Sequence, residues 1–159
     1  MLTVCSVIFS GWTSHLDLIQ IALEDHNFQY TRLDGRMSRT QRRTALDVFQ
    51  NDRDVPIILI SIGAGGLGLN LTTGSRVYVM EPQYNPAAEA QAVDRVHRLG
   101  QKREVTITRY IMEDSFEEKM LELQQKKVQL ADLSMNRNVK LDKAEAARKR
   151  LEDLKSLFR

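Results

Sequence analysis

Short apolar, β-branched runs alternate with longer amphipathic stretches along this chain. In order they are VCSVIF, SHLDLIQIALEDH, FQYTRL, SRTQRRTALDVFQ, VPIILIS, SRVYVME, the arginine-bearing QAVDRVHRLGQ, and EVTITRYI. The succession predicts βαβα units. A run such as Val55 to Ile60, apolar throughout, fits a strand covered on both sides by helices. The expected fold is α/β, an open and mostly parallel sheet with helices on both faces. Helix starts are signalled by capping-box spacings at Ser14 with Asp17, Ser38 with Gln41 and Ser115 with Glu118, and by Asn85 before Pro86.

Beyond Ser115 the pattern changes. SFEEKMLELQQKKVQLADL is one long helical stretch, with Phe116, Met120, Leu123 and the stem of Lys127 at helical spacing, expected to pack back on the domain. A further pair, Asp142 with Glu145, opens KAEAARKRLEDLKSLFR, whose Leu151, Leu154, Leu157 and Phe158 form an apolar stripe. Residues 137–159 carry 8 basic and 4 acidic side chains, which suits either a solvated amphipathic helix docked on its domain or a partner, or direct nucleic-acid contact. The expected divisions are a lobe over 1–113, a long helix over 114–135 and a C-terminal amphipathic helix over 139–159.

A chain of 159 residues can bury one core, and a net charge of +2 means that any basic surface must come from local clustering. The single cysteine, Cys5, lies in an apolar run and reads as a small core residue in a reducing compartment. The opening MLTVCSVIF lacks a basic n-region and is too short for a signal peptide or membrane span, so a cytosolic or nuclear setting without membrane is expected. A buried strand so near the first residue also suggests a piece of a longer chain.

Three stretches could carry chemistry. GAGGLGLNL, Gly63 to Leu71, follows the strand VPIILIS, and glycines there let the backbone approach a partner and offer amide donors. It lacks the GK[ST] ending of a phosphate loop, and a structural turn is the alternative. In QAVDRVHRLGQ, a helix would set Gln91, Asp94, Arg95 and Arg98 on one face. Two guanidiniums there could fork onto phosphate oxygens, or the face could be a solvated one with an Asp94–Arg98 pair. His97 falls off that face as a packing or hydrogen-bonding residue, and no second histidine or cysteine stands at metal-ligand spacing, so no metal site is expected. In RLDGRMSRTQRR, Arg32, Arg36, Arg39, Arg42 and Arg43 crowd a helix start, a place for a nucleic-acid backbone or simply a solvated basic helix.

In this order, from Val7 to Leu130, the stretches resemble the C-terminal RecA-like lobe of SWI/SNF-type, helicase-like DNA translocases. VIFSGWTSHLDLI, YTRLDGRMSRTQR, ISIGAGGLGLNL and EPQYNPAAEAQAVDRVHRLGQKREV look like successive motifs of that lobe, and DSFEEKMLELQQKK resembles its brace helix. The HRLGQ ending, with Gln101, differs from the HRxGRxxR of RNA helicases of the DEAD-box type and points to double-stranded DNA. The details resemble the subgroup that joins this motor to a RING ubiquitin ligase in DNA-damage tolerance, and its excision-repair relatives.

The resemblance implies arginine fingers at Arg95 and Arg98, a nucleotide-proximal Gln91, and Gly68 and Asn70 lining the nucleotide side of an interlobe cleft. It puts Trp12, Ser38, Arg42 and Ser61 toward DNA. ATP with magnesium would be held mainly by a first lobe, for which neither a phosphate loop nor a DExx sequence is present here, so the isolated chain is expected to be inactive. Gly63 stands where the family usually has lysine or arginine, and Arg36 where it has serine or threonine. The implied setting is the nucleus, in repair or chromatin remodelling. A truncated lobe serving as an interaction module, and an RNA-tracking lobe, are the rival readings.

Overall fold

The computed structural model describes residues 4–64 and 68–135. The predicted helix over 139–159 and residues 65–67 of the glycine stretch lie outside the described residues.

Five strands form one wholly parallel sheet in the order β2-β3-β1-β4-β5: β1 Ser6–Ser10, β2 Tyr30–Leu33, β3 Ile57–Ser61, β4 Arg76–Val79 and β5 Thr106–Arg109. The α/β expectation is met. The apolar run within VPIILIS becomes β3, buried from Ile58 to Ser61 between β1 and β2. Ser10 pairs with Ser61, and Val7 with both Ile58 and Val77. Val7, Phe9, Leu33, Ile58, Ile60, Val77 and Val79 fill the core with Phe49, Leu71 and Val96, while Cys5 packs half-buried against it.

Helix α1 spans Thr13–Asp25, α2 Arg39–Asn51, α3 Pro86–Val93 and α4 Phe116–Met135. Parallel crossovers are right-handed almost without exception, which puts α1 on one face of the sheet and α2 and α3 on the other. The capping box at Ser38 and Gln41 is present in full, and α3 begins at Pro86 as the sequence predicts. The Ser14–Asp17 box is not formed. Helix α1 starts two residues earlier with Trp12 as its uncapped N-cap, because Asp17 is drawn away to Arg32. At α4, Ser115 accepts from the Glu117 amide at 3.1 Å, and Glu117 rather than Glu118 reaches back, to the Met112 amide at 2.8 Å.

The described chain divides into two units, one holding residues 4–64, 68–81 and 87–110, the other joining residues 82–86 to 111–135. In the second unit the Gln124 amide donates to the Gln83 carbonyl. Lys127 Nζ donates to the Tyr84 carbonyl at 3.3 Å and lies 3.2 Å from the centre of that tyrosine ring, a cation–π contact. The recruitment of Pro82–Pro86 into this unit is not visible in the sequence pattern. No described helix is long and apolar enough to cross a membrane.

Candidate functional site

The sheet has two ends, and the predicted site residues sort between them. Trp12 follows β1, the Asp34–Ser38 turn follows β2, and Ser61 with Gly63 ends β3, so these residues lie at the carboxyl edge. The Arg95–Gln101 segment instead precedes β5, and the Thr72–Ser75 turn precedes β4, so both belong to the amino edge.

At the carboxyl edge, β1 and β4 are neighbours whose crossovers lead in opposite directions, the topological switch point where open α/β sheets bind ligands. Glu81, 7% exposed, stands there. The Ser10 hydroxyl lies 3.0 and 3.1 Å from its two carboxylate oxygens, the Gly11 amide donates to it at 2.5 Å, and His15 Nδ1 is 3.0 Å away. Ser10 Oγ also accepts from the Trp12 amide at 3.1 Å. A buried carboxylate needs such donors, and here they fix the turn that presents the Trp12 indole, 68% exposed. Sequence reasoning missed Glu81, Ser10 and His15; an acidic residue closing the buried strand pattern VYVM was the available signal.

The basic cluster is largely committed to the fold. Arg32 donates to Asp34 at 3.0 Å, Asp17 at 2.5 Å, Gln20 at 3.2 Å and the Thr13 carbonyl at 3.3 Å. Burial pushes its pKa down, but the bond to Asp17 and the charges of Asp17 and Asp34 outweigh it, and the net shift is upward. Arg36 donates to Thr13 Oγ1 at 2.9 Å, and Arg42 Nη2 to the Gly35 carbonyl at 3.1 Å, leaving the buried Arg42 Nε without a partner among the described residues. Arg43 faces Asp47 at 3.9 Å. Of this group, Arg32 is therefore a structural arginine and not a phosphate grip. Ser38 spends its hydroxyl on the Gln41 amide. Ser61 is 5% exposed, paired beside Ser10 inside the sheet, and so offers no surface to a duplex.

At the amino edge the arginine stretch departs from the predicted helix. Helix α3 stops at Val93, and Arg95 and Val96 donate to carbonyls three residues back, a tighter coil. Gln91 is on α3 and exposed, but Arg98 lies beyond the helix end, so the predicted face does not extend to Arg98, and no Asp94–Arg98 pair forms among the described residues. His97, expected to pack or hydrogen-bond, is exposed. Arg95 is half-buried with Nε lacking a partner among the described residues, and the exposed Arg98 guanidinium is likewise uncommitted there.

The glycine stretch meets this segment. The Leu71 amide donates to the Arg95 carbonyl at 3.1 Å. Gly68 has φ +66°, and Asn70 accepts from Thr72 Oγ1 at 2.9 Å while its carbonyl accepts from Gln50 at 2.8 Å. Gly68, Asn70 and Arg95 thus lie along two neighbouring segments, one of the groupings the sequence predicts; Gln91 is one helical turn before Arg95.

The helicase conserved C-terminal domain matches residues 3–100, more than half of the chain. The chain belongs to that family. Among the relatives of this helicase C-terminal domain, DNA repair protein rad8 of Schizosaccharomyces pombe is 50% identical over 121 residues, covering 76% of this chain and 11% of rad8. DNA repair protein RAD5A of Arabidopsis thaliana is 43% identical over 153 residues, covering 96% and 14%. The helicase-like transcription factor of Homo sapiens is 50% identical over 128 residues, covering 79% and 13%. The crystal structure of the C-terminal part of the Fun30 ATPase domain superposes with a TM-score of 0.74 at 39% identity, over 76% of this chain and 39% of that one. The helicase C-terminal domain therefore spans only 11–14% of the length of these three curated relatives. The family, the RecA-like fold and the SWI/SNF-type repair subgroup read from the motifs agree with these relatives.

Proposed function

We propose that this chain is the second motor lobe of an ATP-dependent double-stranded DNA translocase acting in DNA repair in the nucleus. Its relatives include DNA repair proteins, and the observation that carries the reading is the pair of guanidiniums, Arg95 and Arg98, that have no partner among the described residues, on a segment bonded to the glycine stretch. A half-buried arginine whose Nε lacks a partner fits an anionic group supplied from outside the described residues. ATP with magnesium, held mainly by a first lobe, supplies the phosphoryl group to be hydrolysed. Arg95 and Arg98 complement the negative charge that spreads over phosphate oxygens, with Gln91, Gly68 and Asn70 nearby on the same side. The carboxyl edge, with Trp12, Arg42 and the α2 start capped by Ser38, is the DNA-tracking side. There Ser38 acts through its helix, and Ser61 through the strand it closes.

Joined to a first lobe carrying a phosphate loop, the chain is expected to support duplex-stimulated ATP hydrolysis. Arg98→Ala lowers turnover by on the order of a thousandfold. Unchanged turnover in that variant refutes the assignment, stimulation by RNA over duplex DNA establishes the RNA-tracking alternative, and absence of any stimulated hydrolysis leaves the chain as an interaction module.

A further inference from the structure

Gln101 enters the functional reading only as a mark of family, yet its side-chain amide makes four hydrogen bonds. Residues 98–101 form a turn closed by the Gln101 amide on the Arg98 carbonyl at 2.9 Å, and Gly100 takes φ +105° within it, a conformation that favours glycine. The turn folds Gln101 back on the segment it has just left. Its Nε2 donates to the Gly74 carbonyl at 2.8 Å and the Thr72 carbonyl at 2.9 Å, with the Val96 carbonyl at 3.3 Å, while Oε1 accepts from the Arg103 amide at 3.0 Å. Arg103 Nη2 donates to the Thr73 carbonyl between them. Three carbonyls on one end and an amide on the other fix the orientation of the side chain, which a carboxamide suits because its donor and acceptor sit on separate atoms.

These bonds tie the chain on both sides of Arg98 to one rigid turn. That turn is itself seated in the core, because Gly74 lies against Val7 and Val96, both fully buried. Upstream, the Leu71–Arg95 bond makes the same connection one residue before Val96. Arg98 is beyond the end of α3, and its amide makes no backbone hydrogen bond among the described residues.

We infer that Gln101 is a positioning residue for Arg98, holding the coil that carries it at a fixed height against the Thr72–Gly74 turn. The inference rests on the translocase reading and names what makes this arginine effective.

Gln101→Glu keeps the shape and replaces the donor with a carboxylate facing three carbonyls. In the chain joined to a phosphate-loop lobe, the variant is expected to lose roughly a hundredfold in kcat, the scale of a misplacement of about 1 Å, with KM for ATP and duplex Kd unchanged within about twofold. In an Arg98→Ala background the same substitution adds no further loss, because the residue acts through that arginine. A kcat within about twofold of the parent, a loss carried by KM or duplex Kd, or a loss that multiplies with that of Arg98→Ala overturns the inference. If Gln101→Glu does not fold, Arg103→Ala decides by the same kcat-only signature, and an unchanged kcat there is equally fatal. Normal turnover in Arg98→Ala defeats the translocase reading itself; a crippled Arg98→Ala beside a normal Gln101→Glu defeats only this inference.

Discussion

Gly74→Ala places one methyl group where the core has no room for it. A Cβ at this position meets Val7 Cγ2 at 2.6 Å, the Leu71 carbonyl oxygen at 3.3 Å and Val96 Cγ1 at 3.4 Å. Carbon atoms pack best near 3.5–4.0 Å, so about 1 Å of movement is required of Val7. That residue is fully buried on the central strand, paired with Ile58 on one side and Val77 on the other, and cannot retreat without disturbing both ladders. Overpacking of this kind costs about 1–3 kcal/mol. Gly74 is not in the left-handed region, so alanine recovers about 0.4–1 kcal/mol from the unfolded chain. The net loss is about 1–2 kcal/mol, or roughly 5–10 °C in Tm for a unit of this size. Denaturant titration by circular dichroism reads it directly. Val7→Ala alone costs about 2 kcal/mol as a large-to-small core change. Combined with Gly74→Ala it should cost clearly less than the two changes separately, since the methyl then fills the space vacated. A Gly74→Ala midpoint equal to the parent, or strict additivity in the pair, refutes the reasoning.

Three further outcomes are expected. Arg32→Met removes the ion-pair partner of the buried Asp34, leaving only the Arg36 amide on its other oxygen, and should cost about 2–3 kcal/mol of stability by denaturant titration while leaving the salt slope of duplex binding untouched; a lower slope makes Arg32 a phosphate contact after all. Gly63 has open space around its Cβ position, so Gly63→Lys should change stability by less than about 0.5 kcal/mol and raise the duplex salt slope by about one; an unchanged slope removes Gly63 from the DNA side. Tyr30 is pushed up from 10.0 to about 12 by burial, then by its hydrogen bond to Glu24 and that residue's charge, against the charge of Arg32. A raised folded pKa means a contribution present below pH 10 and lost as pH climbs from 10 through about 12. In an ultraviolet titration Glu24→Gln should bring the Tyr30 ionisation back down, and an unmoved curve contradicts the assigned cause.

Element order and sheet type were legible in the hydrophobic pattern because buried parallel strands read as continuous apolar runs, as Val55 to Ile60 does. The Ser38–Gln41 cap was legible because it is local. Ser14–Asp17 has the same spacing and fails, since a partner 15 residues away, Arg32, competes for the carboxylate. The arginine stretch misled for a related reason. Its helical period continues past Val93, but Gln101 and Leu71 claim the Val96 and Arg95 carbonyls, acceptors that a continuing helix would use for itself. The Glu81 cluster was invisible because its members lie 66 to 71 positions apart in the chain and only the strand order 3-1-4 brings them together.

The central place of β1 in the sheet also governs how the protein is made. Val7 leaves the ribosome before either of its strand partners, acquiring Ile58 and Val77 only after 51 and 70 more residues have been synthesised. A sheet assembled from such distant pairings closes large loops before it gains contacts, and folds slowly. Until then the apolar strand VIF is open to other chains, so the nascent lobe is exposed to aggregation for as long as its partners are unmade.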